Sequence, residues 1–214
     1  MNINSRSFLI LEYVFWFIAL PATLAICKPH AWIYFVLWLL AALSCMRLEK
    51  YYNWNFYTDW NFAGLNRAAV KDILMRFIPF ALALFFFTWS QIPDHLFSLP
   101  RERPGMWVMV LLLYPPLSAM PQEILFRTFI FKRFGPALSH KALILTSAFA
   151  FSFAHVVLRN WVAVIFSFLG GFIFADTYSK TRSLAAVYFE HALYGCYLFT
   201  IGLGYYFYHG TAVK

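Results

Sequence analysis

Along the chain, apolar positions come in long blocks separated by short basic or proline-containing segments. The blocks are Phe8–Cys27, Ala31–Met46, Ile73–Ser90, Met106–Phe131, Ala142–Val157, Trp161–Thr177 and Leu184–Tyr206. Each approaches the roughly 20 predominantly apolar residues a helix needs to cross a bilayer. The fourth block carries Pro115, Pro116 and Pro121. It reads as one kinked helix or as two shorter ones, because proline removes a backbone donor and breaks the helical ladder. The pattern therefore predicts an all-α, polytopic membrane protein with seven or eight transmembrane helices around one polar cavity. Residues 1–214 read as a single transmembrane domain. Gly170 and Gly171 in the sixth block permit close helix approach.

Composition agrees. Of 214 residues, 62% are hydrophobic, 22% aromatic and only 12% charged, too apolar for an ordinary soluble domain. The net charge of +8 could suggest nucleic acid. The basic residues, however, cluster between apolar blocks: Arg47, Lys50, Arg67 and Lys71; Lys132, Arg133 and Lys141; Lys180 and Arg182. That is the positive-inside pattern, and on a seven-span count it puts the N-terminus in the cytoplasm. The aromatic stretch Tyr51–Phe62 reads as an interfacial helix or loop at headgroup level, not as a platform for bases. No nucleic-acid partner is expected. The first block reads as a retained span, since no A-x-A cleavage site follows it. Cys27, Cys45 and Cys196 have no metal-ligand spacing and read as small apolar fillers. Small size and the charge pattern suit a multi-pass protein of a bacterial inner (plasma) membrane.

Ionisable residues inside apolar blocks carry the chemistry, because lipid offers them no partner. They are Glu12, Arg76, Glu123, Arg127, His155, Asp176, Glu190 and His191. Glu12, Arg76 and Asp176 lie near block ends, where snorkelling or interfacial solvation suffices. Glu123 and Arg127 are spaced i, i+4 and share a helix face. They read either as an ion pair joining helices or as a carboxylate kept charged to take a proton from water. His155 and His191 come from two further blocks. The adjacent Glu190 points about 100° away from His191 on a helix and need not touch it. One carboxylate and two histidines form a plausible hydrolytic set. Zinc could bind such a set, but the H-E-x-x-H arrangement is absent. A metal-free version polarises water with Glu123 and one histidine, and uses the other histidine for the oxyanion.

These motifs resemble the CAAX-protease and bacteriocin-processing (CPBP, or Abi) family of intramembrane glutamic endopeptidases. The family pattern is E-E-x-x-x-R, F-x-x-x-H and H-x-x-x-N or H-x-x-x-D, in that order on separate helices. This chain offers Gln122-Glu123-Ile124-Leu125-Phe126-Arg127, then Phe151 to His155, then His191 to Gly195. The resemblance implies a catalytic core over residues 106–206. It implies hydrolysis of a peptide bond in a membrane-anchored protein or peptide near the bilayer boundary, by an enzyme of glutamic rather than zinc type, without cofactor or metal. Glu123 would be the general base, oriented by Arg127. His155 would help bind the water, His191 would polarise the scissile carbonyl, and Gln122 would be a secondary donor to substrate or oxyanion. Two positions depart from the pattern: Gln122 replaces the first glutamate, and Gly195 replaces the asparagine or aspartate. Those departures leave room for an alternative, a catalytically silent membrane binding or immunity protein on the same fold.

Overall fold

The computed structural model describes residues 5–27 and 32–208. Among them the chain is helical and contains no strand. The main helices are α1 (Arg6–Cys27), α2 (Ile33–Tyr52), α3 (Phe56–Trp60), α4 (Arg67–Gln91), α5 (Ser98–Glu102), α6 (Pro104–Ala137), α7 (His140–Leu158), α8 (Trp161–Thr181) and α9 (Leu184–Thr200). Helix starts follow sequence signals. Asn66, Ser139, Asn160 and Ser183 each accept a hydrogen bond from the backbone N–H three residues on, satisfying a donor the helix leaves orphaned. The turns into α8 and α9 are equally economical. Arg159 and Arg182 adopt left-handed backbone at φ 57° and 48°, and the next residue already caps the following helix.

Among the described residues five helices, α1, α4, α6, α7 and α8, are long and apolar enough to cross a membrane, so the chain is a multi-pass membrane protein. This falls short of the seven or eight spans expected. The fourth block is one continuous helix, so it does not supply two spans. α2 carries Arg47, Glu49 and Lys50 in its last turns, and α9 is only 17 residues long. The apolar block Leu184–Tyr206 breaks after Thr200 because Gly202 turns with φ 97° against the backbone of His95, where a Cβ would overlap the carbonyl.

Prolines shape α6 without ending it. Wider π turns run over Pro115–Ala119, directly at the proline pair, and over Ile124–Phe129, just after Pro121. α7 and α8 pack closely because Gly171 lies against Ala148 and Phe151. α9 is tied to α4 by Tyr197 Oη donating to the Ala81 carbonyl at 2.8 Å. Tyr13 Oη of α1 donates to the Thr146 carbonyl of α7 at 2.9 Å.

The charges near block ends are more deeply used than snorkelling requires. Glu12 is buried between Arg133 at 2.7 Å and Arg47 at 2.5 Å, joining α1, α2 and α6. Arg76 of α4 reaches Asp176 of α8 at 3.1 Å and Glu190 of α9 at 3.4 Å. The aromatic stretch is also anchored from below. Buried Asp59 accepts hydrogen bonds from Thr128 and Tyr178, and Asn61 and Ser183 stitch the loop to the α8–α9 turn. Several of its polar residues therefore face protein.

Candidate active site

Glu123, Arg127, His155 and His191 come from α6, α7 and α9. Glu123 and Arg127 have no exposed side-chain area. The Arg127 Nε lies 3.2 Å from Glu123 Oε2, yet neither atom makes a hydrogen bond, so the contact is charge against charge. Arg127 Nη1 donates to Ser147 Oγ at 3.0 Å, and Ser147 in turn donates to the Phe126 carbonyl. The guanidinium also lies 4.8 Å from the Phe151 ring and 5.7 Å from the Phe174 ring. Two aromatic faces and one hydroxyl thus hold the cation in place.

The other Glu123 oxygen, Oε1, lies 2.7 Å from His191 Nδ1. A carboxylate accepts, so Nδ1 donates and Nε2 carries the lone pair. Nε2 lies 2.9 Å from Tyr114 Oη, whose hydroxyl is then the donor. The result is a chain Tyr114–His191–Glu123–Arg127. A stacked Phe174 ring, 4.7 Å from the imidazole, fixes its plane.

His155 ends α7. Its Nδ1 donates to the Phe151 carbonyl at 2.7 Å, which leaves Nε2 as the free ring nitrogen. Phe151 packs on both imidazoles, at 4.8 Å from His155 and 5.4 Å from His191. The two histidines are therefore within about one helix diameter of each other.

A cavity of about 1360 Å³ opens beside these groups, between α1, α2, α4 and α6 through α9. Its wall is mostly apolar, in contrast to the polar cavity expected. Tyr114, Ser118, Gln122, His155 and His191 are set into that wall. Gln122 donates from Nε2 to Ser118 Oγ at 2.8 Å. Glu123 and Arg127 lie behind the wall, so the cavity meets Glu123 through His191. Glu190 turns away toward Arg76, as its position next to His191 requires. Among the described residues no three His, Cys, Asp or Glu side chains group as metal ligands.

Sequence reading brought together Glu123, Arg127, His155 and His191, and named Phe151 as the start of its motif, but missed Tyr114 and Ser147. A tyrosine immediately before Pro115-Pro116 was the available signal for the first. Ser147 looked like any small residue in an apolar helix.

Residues 104–197 match the family model described as type II CAAX prenyl endopeptidase Rce1-like. Over that segment, which is under half of the chain, the sequence is similar to the Rce1-like family. The match runs from the start of α6 into the last turns of α9 and includes every polar residue of the site above. The match agrees with the resemblance to the CPBP family and, at family level, supports an intramembrane peptidase. No curated protein and no solved structure matches the chain.

Proposed function

We propose that this protein is an intramembrane endopeptidase that hydrolyses a peptide bond of a membrane-anchored protein or peptide near the bilayer boundary. The single observation that carries the reading is the 2.7 Å bond between buried Glu123 and His191, with His191 on the wall of the cavity. A carboxylate that fixes the imidazole tautomer leaves a lone pair at Nε2 for a water proton, and then stabilises the imidazolium that forms. Glu123 remains the carboxylate of the base, working through His191 because its own oxygens do not reach the cavity wall. Arg127 balances and orients it.

In this scheme the water oxygen bonds to the scissile carbonyl carbon while one water proton moves to His191 Nε2. His155 Nε2 holds the water by accepting its other hydrogen. The Gln122 amide donates toward the carbonyl oxygen. Collapse of the tetrahedral intermediate breaks the C–N bond, and His191 returns the proton to the leaving nitrogen. The scheme is glutamate-driven and metal-free. The proximity of Glu123 and His191, with His155 held separately on Phe151, supports it over a zinc site. The mostly apolar wall suits a substrate with a lipid-like or apolar segment, and the family description adds prenylated C-terminal CAAX sequences as the substrate class to try first. We place the protein in a bacterial inner membrane, with residues 106–206 as the catalytic core of one domain.

The test compares membrane-protein termini in the native host between wild type, Glu123→Gln and Gln122→Ala strains at equal protein levels. A terminus lost in the Glu123→Gln strain, and reduced in the Gln122→Ala strain, is expected. Identical termini in all three strains would refute the peptidase reading.

A further inference from the structure

Gly195 stands where the resembled family carries an amide or carboxyl side chain, one turn beyond His191 on α9. The space is not empty. A Cβ placed on Gly195 would overlap Cε1, Cζ and Oη of Tyr114. The phenol reaches that spot from α6, a different helix, at the residue just before the Pro115–Ala119 π turn. Phe199 packs on the Tyr114 ring, 5.5 Å between centroids, and helps hold it there. The hydroxyl arrives 2.9 Å from His191 Nε2, on the cavity wall.

We propose that Tyr114 is a catalytic residue of this protein, its phenol taking the place of the side chain missing at position 195 and donating to the oxyanion of the tetrahedral intermediate. The proposal rests on the peptidase reading above. A residue-195 amide and the Tyr114 hydroxyl compete for one volume beside His191, so the chain can use either but not both in their present positions. Glycine at 195 is then the condition for the phenol to enter, and the departure from the family pattern ceases to imply a silent site. In the resting state the hydroxyl donates to His191 Nε2 and covers its lone pair. When a carbonyl enters the cavity, the O–H rotates to the oxygen on which negative charge develops. That rotation also frees Nε2 for the water proton. A single oxyanion donor is generally worth about 10²–10³ in kcat.

The experiment uses full-length protein in liposomes and a fluorogenic farnesylated peptide ending in Cys-aliphatic-aliphatic-X. Tyr114→Phe keeps the ring and removes the donor. It should lower kcat by about 10²–10³ with KM little changed and the melting temperature at the wild-type value. Tyr114→Ala should lose activity similarly, and adding Gly195→Asn to it should restore at least about tenfold, because an amide then has both the space and the neighbour. A Tyr114→Phe kcat within about threefold of wild type overturns the proposal while leaving the peptidase reading standing. So does a Tyr114→Ala/Gly195→Asn double variant no faster than Tyr114→Ala. Failure of the wild type to cleave the peptide, together with unchanged host termini in the Glu123→Gln strain, refutes the peptidase reading and the donor role with it.

Discussion

Replacing Arg127 by methionine removes a fully buried cation while keeping a side chain of similar length. Glu123 then keeps its bond to His191 and loses the one arginine or lysine that, among the described residues, lies within ion-pair distance. At the 3.2 Å separation, and an effective dielectric near 20, the charge pair is worth about 5 kcal/mol as an upper figure. Stranding one member of a buried pair typically costs about 3–5 kcal/mol, which agrees. The Ser147 hydrogen bond and the two aromatic faces are lost as well, but those losses do not depend on Glu123. A double-mutant cycle separates them. Arg127→Met alone should destabilise by about 3–5 kcal/mol. Glu123→Gln combined with Arg127→Met should recover about 2 kcal/mol or more of that, since no charge is left stranded. Equilibrium unfolding in mixed micelles, followed by tryptophan fluorescence, gives the four free energies. If the two single losses sum to the double loss within about 0.5 kcal/mol, the pair is uncoupled and the electrostatic reasoning is wrong.

Gly171→Ala should destabilise more than Gly170→Ala. The first would put a Cβ 3.1 Å from the Ala148 backbone and 3.0 Å from Phe151, whereas the second meets only Phe174 at 3.4 Å. Because Phe151 carries both imidazoles, Gly171→Ala should also slow cleavage. Melting curves and kcat of the two variants check this, and equal behaviour would contradict the packing argument. Asp59→Ala should cost about 1–3 kcal/mol for each of the two buried hydroxyls, on Thr128 and Tyr178, that it leaves without an acceptor. Asp59→Asn, which keeps one acceptor oxygen, should lose less in the same unfolding assay.

The helical, membrane-embedded character of this protein was legible from the length of its apolar blocks, since a stretch of that length has few other ways to satisfy its backbone in lipid. The participants Glu123, Arg127, His155 and His191 were legible too, because an ionisable group in an apolar block is conspicuous against its surroundings. Their assembly was not. The two histidines come from separate blocks, and nothing local specifies that Phe151 brings both rings against one side chain. The span count also needed the structure, since local hydropathy does not register that α9 stops at Thr200 or that the prolines of α6 widen turns without breaking the helix. Tyr114 lies 81 positions from Gly195 in the sequence, and a phenol filling a missing side chain's volume leaves no local pattern. Sequence sets what each segment must bury, because hydrophobicity is a property of neighbours along the chain. Which polar groups meet depends on side chains from different helices sharing a few ångströms, and that the tertiary structure alone decided.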